Sequence, residues 1–228
     1  MPIVNTLYII YMRKILIALF AVLPLVGMSQ NVWEKPQSES SQQETTKKKT
    51  LFESNKKTVD PKYLAGAVPI VDGKVTFTLD KDIPGKSAQE IYDIVLATLE
   101  KMTKEENQFK NSQVAVVNKQ DHIIGARFKE WLVFQNTFLS LDRTIFNYTV
   151  IATCTDGHLN ATISRISYAY ELDRGVNEGM ETKAEDWITD EVGLNKKKDN
   201  LSKYSGKFRR KTIDRKDNIF ETLLEALK

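Results

Sequence analysis

Chemistry-bearing side chains are scarce in this chain of 228 residues. Cys154 is its one cysteine, which excludes an intramolecular disulfide and any paired-cysteine metal site. An oxidising compartment stays open, because a chain with a large core needs no disulfide. His122 and His158 are the two histidines. No serine stands in a Gly-x-Ser-x-Gly setting, and no glycine-rich phosphate loop occurs. An excess of one charge is missing too. The formal net charge is +3, and the first 29 residues carry only Arg13 and Lys14, which leaves about +1 on the remainder. That balance argues against a nucleic-acid or anionic-membrane partner on bulk charge. The apolar run Ile15–Val26 is shorter than the ~20 residues a membrane span needs. What remains is ordinary for a folded domain: 41% hydrophobic and 28% charged residues.

The N-terminus carries the layout of a cleavable export signal. Arg13 and Lys14 precede the run Ile15–Val26, Pro24 breaks it near its end, and Gly27 and Ser29 set small residues before a cut ahead of Gln30. The apolar residues before the basic pair fit this layout poorly, so translation is expected to start at Met12. Residues 1–29 are therefore read as a signal peptide. Residues 30–58, rich in Ser, Gln, Thr and Lys, bury too little surface to offset ordering entropy and are read as a disordered linker.

A folded domain is expected over residues 59–228. Val75, Phe77 and Leu79 alternate with Thr76 and Thr78 as in a half-buried strand. Ser87 and Glu90 form a capping box ahead of Ile91, Tyr92, Val95, Leu99 and Met102 at helical spacing. Strands are predicted at Val114–Val117, from His122 to about Phe134 with a bulge near Gly125, and through Phe146, Tyr148, Val150, Ala152 and Cys154. Asp156-Gly157 predicts a type I′ hairpin turn. The returning strand buries Leu159, Ala161 and Ile163 on one parity, then Ile166, Tyr168 and Tyr170 on the other, which requires a bulge between them. Trp187, Ile188, Val192 and Leu194 suit a short helix docked on the sheet. Phe220, Leu223, Leu224 and Leu227 mark a last helix, capped at Asp214. The fold class is thus α+β in the order β-α-β-β-β-β-α, an antiparallel sheet with helices packed on one face. Such an arrangement leaves a concave surface between the sheet and the last helix.

The segments YLAGAVPIVDGKVTFT (Tyr63–Thr78), IPGKSAQEIYD (Ile83–Asp93) and GKFRRKTID (Gly206–Asp214) resemble an uncharacterised bacterial family of exported Bacteroidota proteins. That family is a domain of unknown function with a TATA-binding-protein-like (TBP-like) fold. The resemblance implies a curved antiparallel sheet with helices on one side. It supplies no activity or catalytic residues, and the name of a fold does not imply DNA binding.

Few residues qualify as site candidates. His122 and His158 flank predicted turns and read as exposed turn residues. Cys154 shares the buried parity of its strand and reads as an inert thiol. Glu185-Asp186 and Asp190-Glu191 read as solvated surface. The acceptor motifs at Asn147, Asn160 and Asn200 fall partly in strands. Aromatic residues Trp131, Tyr148, Tyr168 and Tyr170 are the ligand-binding candidates, should any of them line an open sheet face. Arg209, Arg210 and Lys211, with Lys196–Lys198 upstream, are the anion-binding candidates, although Asp214 and Asp217 beside them point to local ion pairs. No catalytic residue, metal ligand or cofactor is expected.

The leading expectation is a non-catalytic binding module, exported to the periplasm or outer cell envelope. Its partner would be an envelope protein or a small ligand, with no nucleic acid, and it would touch the membrane only through its signal peptide before cleavage. One alternative is a carrier holding a small apolar ligand between the sheet and the last helix. Another is an enzyme using His122 or His158.

Overall fold

Strict alternation along three long strands builds the core. The computed structural model describes residues 58–171 and 179–228. The expected signal peptide and almost all of the expected linker lie outside the described residues. A short hairpin, β1 (Ile70–Val71) and β2 (Lys74–Val75), opens the fold, followed by β3 (Phe77–Asp82). The Val75–Leu79 strand of the sequence reading is thus split between two sheets. Asp72 (φ 49°) and Gly73 (φ 71°) both take the positive φ that a type I′ turn needs. Helix α1 (Ala88–Met102) comes next, then β4 (Gln113–Asn118), β5 (Ile123–Thr137), β6 (Ser140–Thr155) and β7 (His158–Tyr170). β8 (Met180–Lys183), the single-turn helix α2 (Ala184–Trp187) and the long helix α3 (Gly206–Ala226) complete it.

The main sheet is antiparallel, in the order β3-β7-β6-β5-β4, with β8 pairing the far end of β7. Ile124, Ala126, Phe128 and Leu132 of β5 point into the core with Phe146, Tyr148, Val150, Ala152 and Cys154 of β6. From α1, Ile91, Tyr92, Val95, Leu99 and Met102 cover that face. Burying each such side chain is worth about 1.5–3 kcal/mol relative to exposure. Helix α3 covers the same face with Phe208, Ile213, Ile219 and Leu223. Among the described residues, no helix covers the opposite sheet face.

The parity switch in β7 is a bulge, as its sequence requires. Thr149 pairs with Ser164 and Asn147 with Ser167, so Arg165 and Ile166 together oppose Tyr148. Arg165 adopts φ 54° to make it. The bulge expected near Gly125 lies across from it, on β4 between Val114 and Val116.

Helix α1 is capped as expected: Ser87 Oγ accepts from Glu90 N–H, and the Glu90 carboxylate accepts from Ser87 N–H at 2.8 Å. Asp156 adds an acceptor for Ala88 N–H at 2.8 Å, fastening the β6–β7 turn to the helix. That turn is not type I′, because Gly157 alone of the pair has positive φ.

Helix α3 begins at Gly206, two turns before the expected cap at Asp214. Arg209 lies at a core position of these turns, so the apolar period is interrupted in sequence but not in space. Gly206 is required there, since a Cβ would come within 2.7 Å of Leu201 Cβ. In the preceding segment Ile188 and Leu194 are buried as expected, whereas Val192 is exposed.

Candidate functional site

The four aromatic candidates do not converge. Tyr148 and Tyr168 have their rings in the core beneath the helices. Tyr168 donates to or accepts from Thr212 Oγ1 at 2.7 Å. Tyr170 is half-buried against Phe208, and its hydroxyl joins Asp142 and Lys207 Nζ, both at 2.9 Å. Trp131 alone is on the open face, with the Arg143 guanidinium 3.7 Å above its ring.

The basic candidates separate likewise. Arg209 is fully buried, which removes it as an anion site. Its Nε donates to Tyr63 O, one terminal nitrogen donates to Ile188 O, and the other to Leu64 O and the Asp190 carboxylate, at 2.6–2.7 Å. Its ion-pair partner is Asp190, while Asp214 and Asp217 hold Lys62 instead. Arg210 is exposed, 5.3 Å from the Tyr63 ring centre, and Lys211 is half-exposed.

Two acids read as solvated surface have fixed partners. Asp190 also accepts from Gly66 N–H at 2.7 Å, and Glu185 accepts from Val75 N–H at 2.8 Å. His122 meets Gln89 at 3.3 Å, and His158 lies 2.9 Å from Asp82 and 3.3 Å from Asp80. The bond to Asp82 raises the His158 pKa above its ordinary value. Burial pushes the Cys154 thiol up to about 11. Among the described residues no three His, Cys, Asp or Glu side chains gather as a metal site.

Two clusters escaped the sequence reading. The first is buried. Glu130, on the core parity of β5, is fully enclosed and gripped by Arg215 of α3, with Nε on Oε1 at 2.8 Å and a terminal nitrogen on Oε2 at 2.9 Å. Gln108 and Asn107 also donate to Glu130, and Arg215 reaches Glu105 at 2.7 Å. Burial holds the Glu130 carboxyl above its ordinary value, opposed by Arg215. This network ties α3 to the sheet.

The second cluster lies on the open face. Arg127 and Lys129 alternate along β5 on the side away from the core. Their register partners on β6 are Thr149 and Asn147. Arg165, in the bulge, opposes β6 from its other side. Phe109 N–H donates to Lys129 O at 2.8 Å, laying the loop before β4 along β5 and bringing up Asn111. These six residues, with Phe128 and Tyr148 between them on the strands, line a depression of about 190 Å³. Among the described residues, neither Arg127 nor Arg165 has a hydrogen-bonding or ion-pair partner for its guanidinium. The Lys129 ammonium faces only the Phe109 ring, at 5.1 Å. The signal in the sequence is the off-core parity of Arg127 and Lys129, together with an arginine placed in the parity switch.

The space between sheet and α3, lined by Phe77, Phe146, Ile163 and Ile219, does not admit a water molecule. A groove of about 450 Å³ runs instead between α1 and α3, walled by Ala97, Thr98, Met102, Thr222 and Ala226.

Residues 77–169 match the family described as a domain of unknown function (DUF4468) with TBP-like fold. A crystal structure of a DUF4468 family protein from Bacteroides ovatus ATCC 8483 is 38% identical, with a TM-score of 0.69, over 75% of this chain and 96% of that one. A TBP-like protein from Parabacteroides distasonis ATCC 8503 is 25% identical, with a TM-score of 0.55, over 70% of this chain and 96% of that one. No curated protein matches the chain. The resemblance read from the three sequence segments therefore holds, and with the antiparallel sheet and its one-sided helices the chain belongs to the DUF4468 family of TBP-like domains.

Proposed function

We propose that the protein is a non-catalytic binding module of the cell envelope and that the open sheet face takes an anionic ligand. The observation that carries this reading is the group Arg127, Lys129 and Arg165, three cations around one depression with no carboxylate among its lining residues. Like charges this close repel unless a counter-charge joins them, and at physiological salt screening acts over ~8 Å. Neutral donors, Asn111, Asn147 and Thr149, and the strand residues Phe128 and Tyr148 complete the lining.

The non-catalytic part rests on how the titratable side chains are engaged. His158 is held by aspartates, His122 meets an amide, and the Cys154 thiol is buried and protonated. A nucleophile needs a base within hydrogen-bond reach, and these groups are not paired with one another. Placement in the envelope rests on the signal-like layout of residues 1–29.

The test is a titration of the isotope-labelled chain from Gln30 onward with phosphate, sulfate and small carboxylates, followed by amide NMR. Saturable shifts confined to β5, β6 and the β7 bulge are expected, and an Arg127→Gln/Arg165→Gln variant should lose them. Shifts elsewhere only, or none with any anion, would overturn the proposal.

A further inference from the structure

We infer that the ligand group received on the open face is a phosphate monoester, recognised as a dianion; the inference rests on the anion-binding reading above. Three features converge on it. The first is charge. Arg127 and Lys129 are two residues apart on one strand, so their backbones lie about 7 Å apart, and Arg165 is two strands away, about 10 Å. A monoanion leaves two of the three cations uncompensated, whereas a dianion leaves one. The second is donor geometry. Two guanidinium forks, from strands on either side of β6, suit a group with three terminal oxygens better than a planar carboxylate, which one fork satisfies. Asn147 and Thr149 lie on the strand between them and bring no negative charge.

The third feature is the bulge. With Ile163 in the core, strict alternation would turn residue 165 inward and residue 166 outward. The extra residue reverses this, so Ile166 is buried and Arg165 stands exposed at the depression. The backbone adopts φ 54° at Arg165, a region that a long side chain rarely occupies. Bulges re-aim side chains beside functional sites, and local strain collects there. A glycine would make the same bulge without strain, so the arginine is there for its side chain.

The phosphate could be carried by a soluble molecule or by a lipid, and two arms separate these sources. In the first, the chain from Gln30 onward is titrated by calorimetry with glycerol 3-phosphate, methyl sulfate and glycerate. In the second, sedimentation is measured with phosphatidylcholine vesicles with and without phosphatidic acid. Saturable binding of the phosphate monoester in either arm, at least tenfold tighter than methyl sulfate or glycerate, is expected. The ester's second ionisation falls near pH 6. Affinity for glycerol 3-phosphate should therefore drop about tenfold from pH 7 to pH 5, as the dianion fraction falls to about one tenth. Arg165→Gly should weaken binding at least tenfold while leaving the melting temperature unchanged or higher. Equal binding of methyl sulfate or glycerate, or a flat pH profile, overturns the phosphate inference and leaves the anion-binding reading intact. Failure of every anion removes both.

Discussion

Arg209 offers the sharpest test of how the fold is held, because the same residue reads as an anion ligand in the sequence and as a clamp in the structure. Its guanidinium joins three separate segments: Tyr63 and Leu64 before the first strand, Ile188 and Asp190 after α2, and its own helix. Replacement by methionine keeps much of the volume but strands the Tyr63 and Ile188 carbonyl oxygens and leaves Leu64 O with Ala67 N–H alone. It also leaves the Asp190 carboxylate with Gly66 N–H as its remaining bond. Breaking a buried pair by removing one partner costs about 3–5 kcal/mol. For a domain of this size each kcal/mol lowers the melting temperature by about 2–4 °C, so a fall of about 6–20 °C is expected.

The assay is urea unfolding followed by tryptophan fluorescence, for Arg209→Met, Asp190→Asn and the double variant. The single variants should be non-additive, because each already breaks the same pair. Arg209→Lys should recover less than half of the loss, since one ammonium cannot reproduce a fork spread over four acceptors. A loss below about 1 kcal/mol for Arg209→Met would refute the clamp and return Arg209 to the list of groups free for a ligand.

Arg215→Met should cost about 3–5 kcal/mol at neutral pH by leaving Glu130 buried without its cation. The Glu130 carboxyl is already raised by burial, so its contribution to stability is present below the ordinary carboxylate value and lost as pH rises through the raised one. The variant should therefore be least impaired in acid, and a pH-independent loss in urea melts would contradict the assignment. His158 titrates above the ordinary histidine value because Asp82 bonds it, so the stability it contributes is full below about pH 6.5 and fades as pH rises through the folded value. NMR titration of its ring should show that shift, and Asp82→Asn should largely remove it. Cys154 should resist thiol reagents at pH 7 in the native protein and react at the unfolding rate, so rapid stoichiometric labelling without denaturant would show that the thiol is accessible.

What was legible in the sequence was whatever repeats locally. The alternation through Phe146–Cys154, the capping box at Ser87 and Glu90, and the parity switch between Ile163 and Ile166 are each contained within a few residues, and each is present in the fold. What was not legible depends on pairing across the sheet or on charges placed inside. Arg209 and Glu130 are core residues by position and surface residues by type, so the start of α3 and the Glu130–Arg215 network were both missed. Two of the aromatic candidates illustrate the opposite case. Tyr148 and Tyr168 follow the core parity faithfully, which places them under the helices rather than on an open face.

The open-face cluster shows why register matters more than composition for this protein. Its 33 basic and 30 acidic residues are nearly matched, so an uncompensated patch is not forced by overall charge. The basic side chains divide by position. Lys62, Lys207, Arg209 and Arg215 each hold a carboxylate that fastens α3 or its neighbours. Arg127, Lys129 and Arg165 come from two strands separated by β6, and they meet only because the β5–β6 and β6–β7 registers align Asn147 and Thr149 between them. A shift of one residue in either strand would turn its cations toward the core, where an unpaired charge is costly. The apolar face therefore fixes the position of the basic one: the alternation that buries Phe128 and Tyr148 also holds the cations beside one another, and the bulge at Arg165 adds the third.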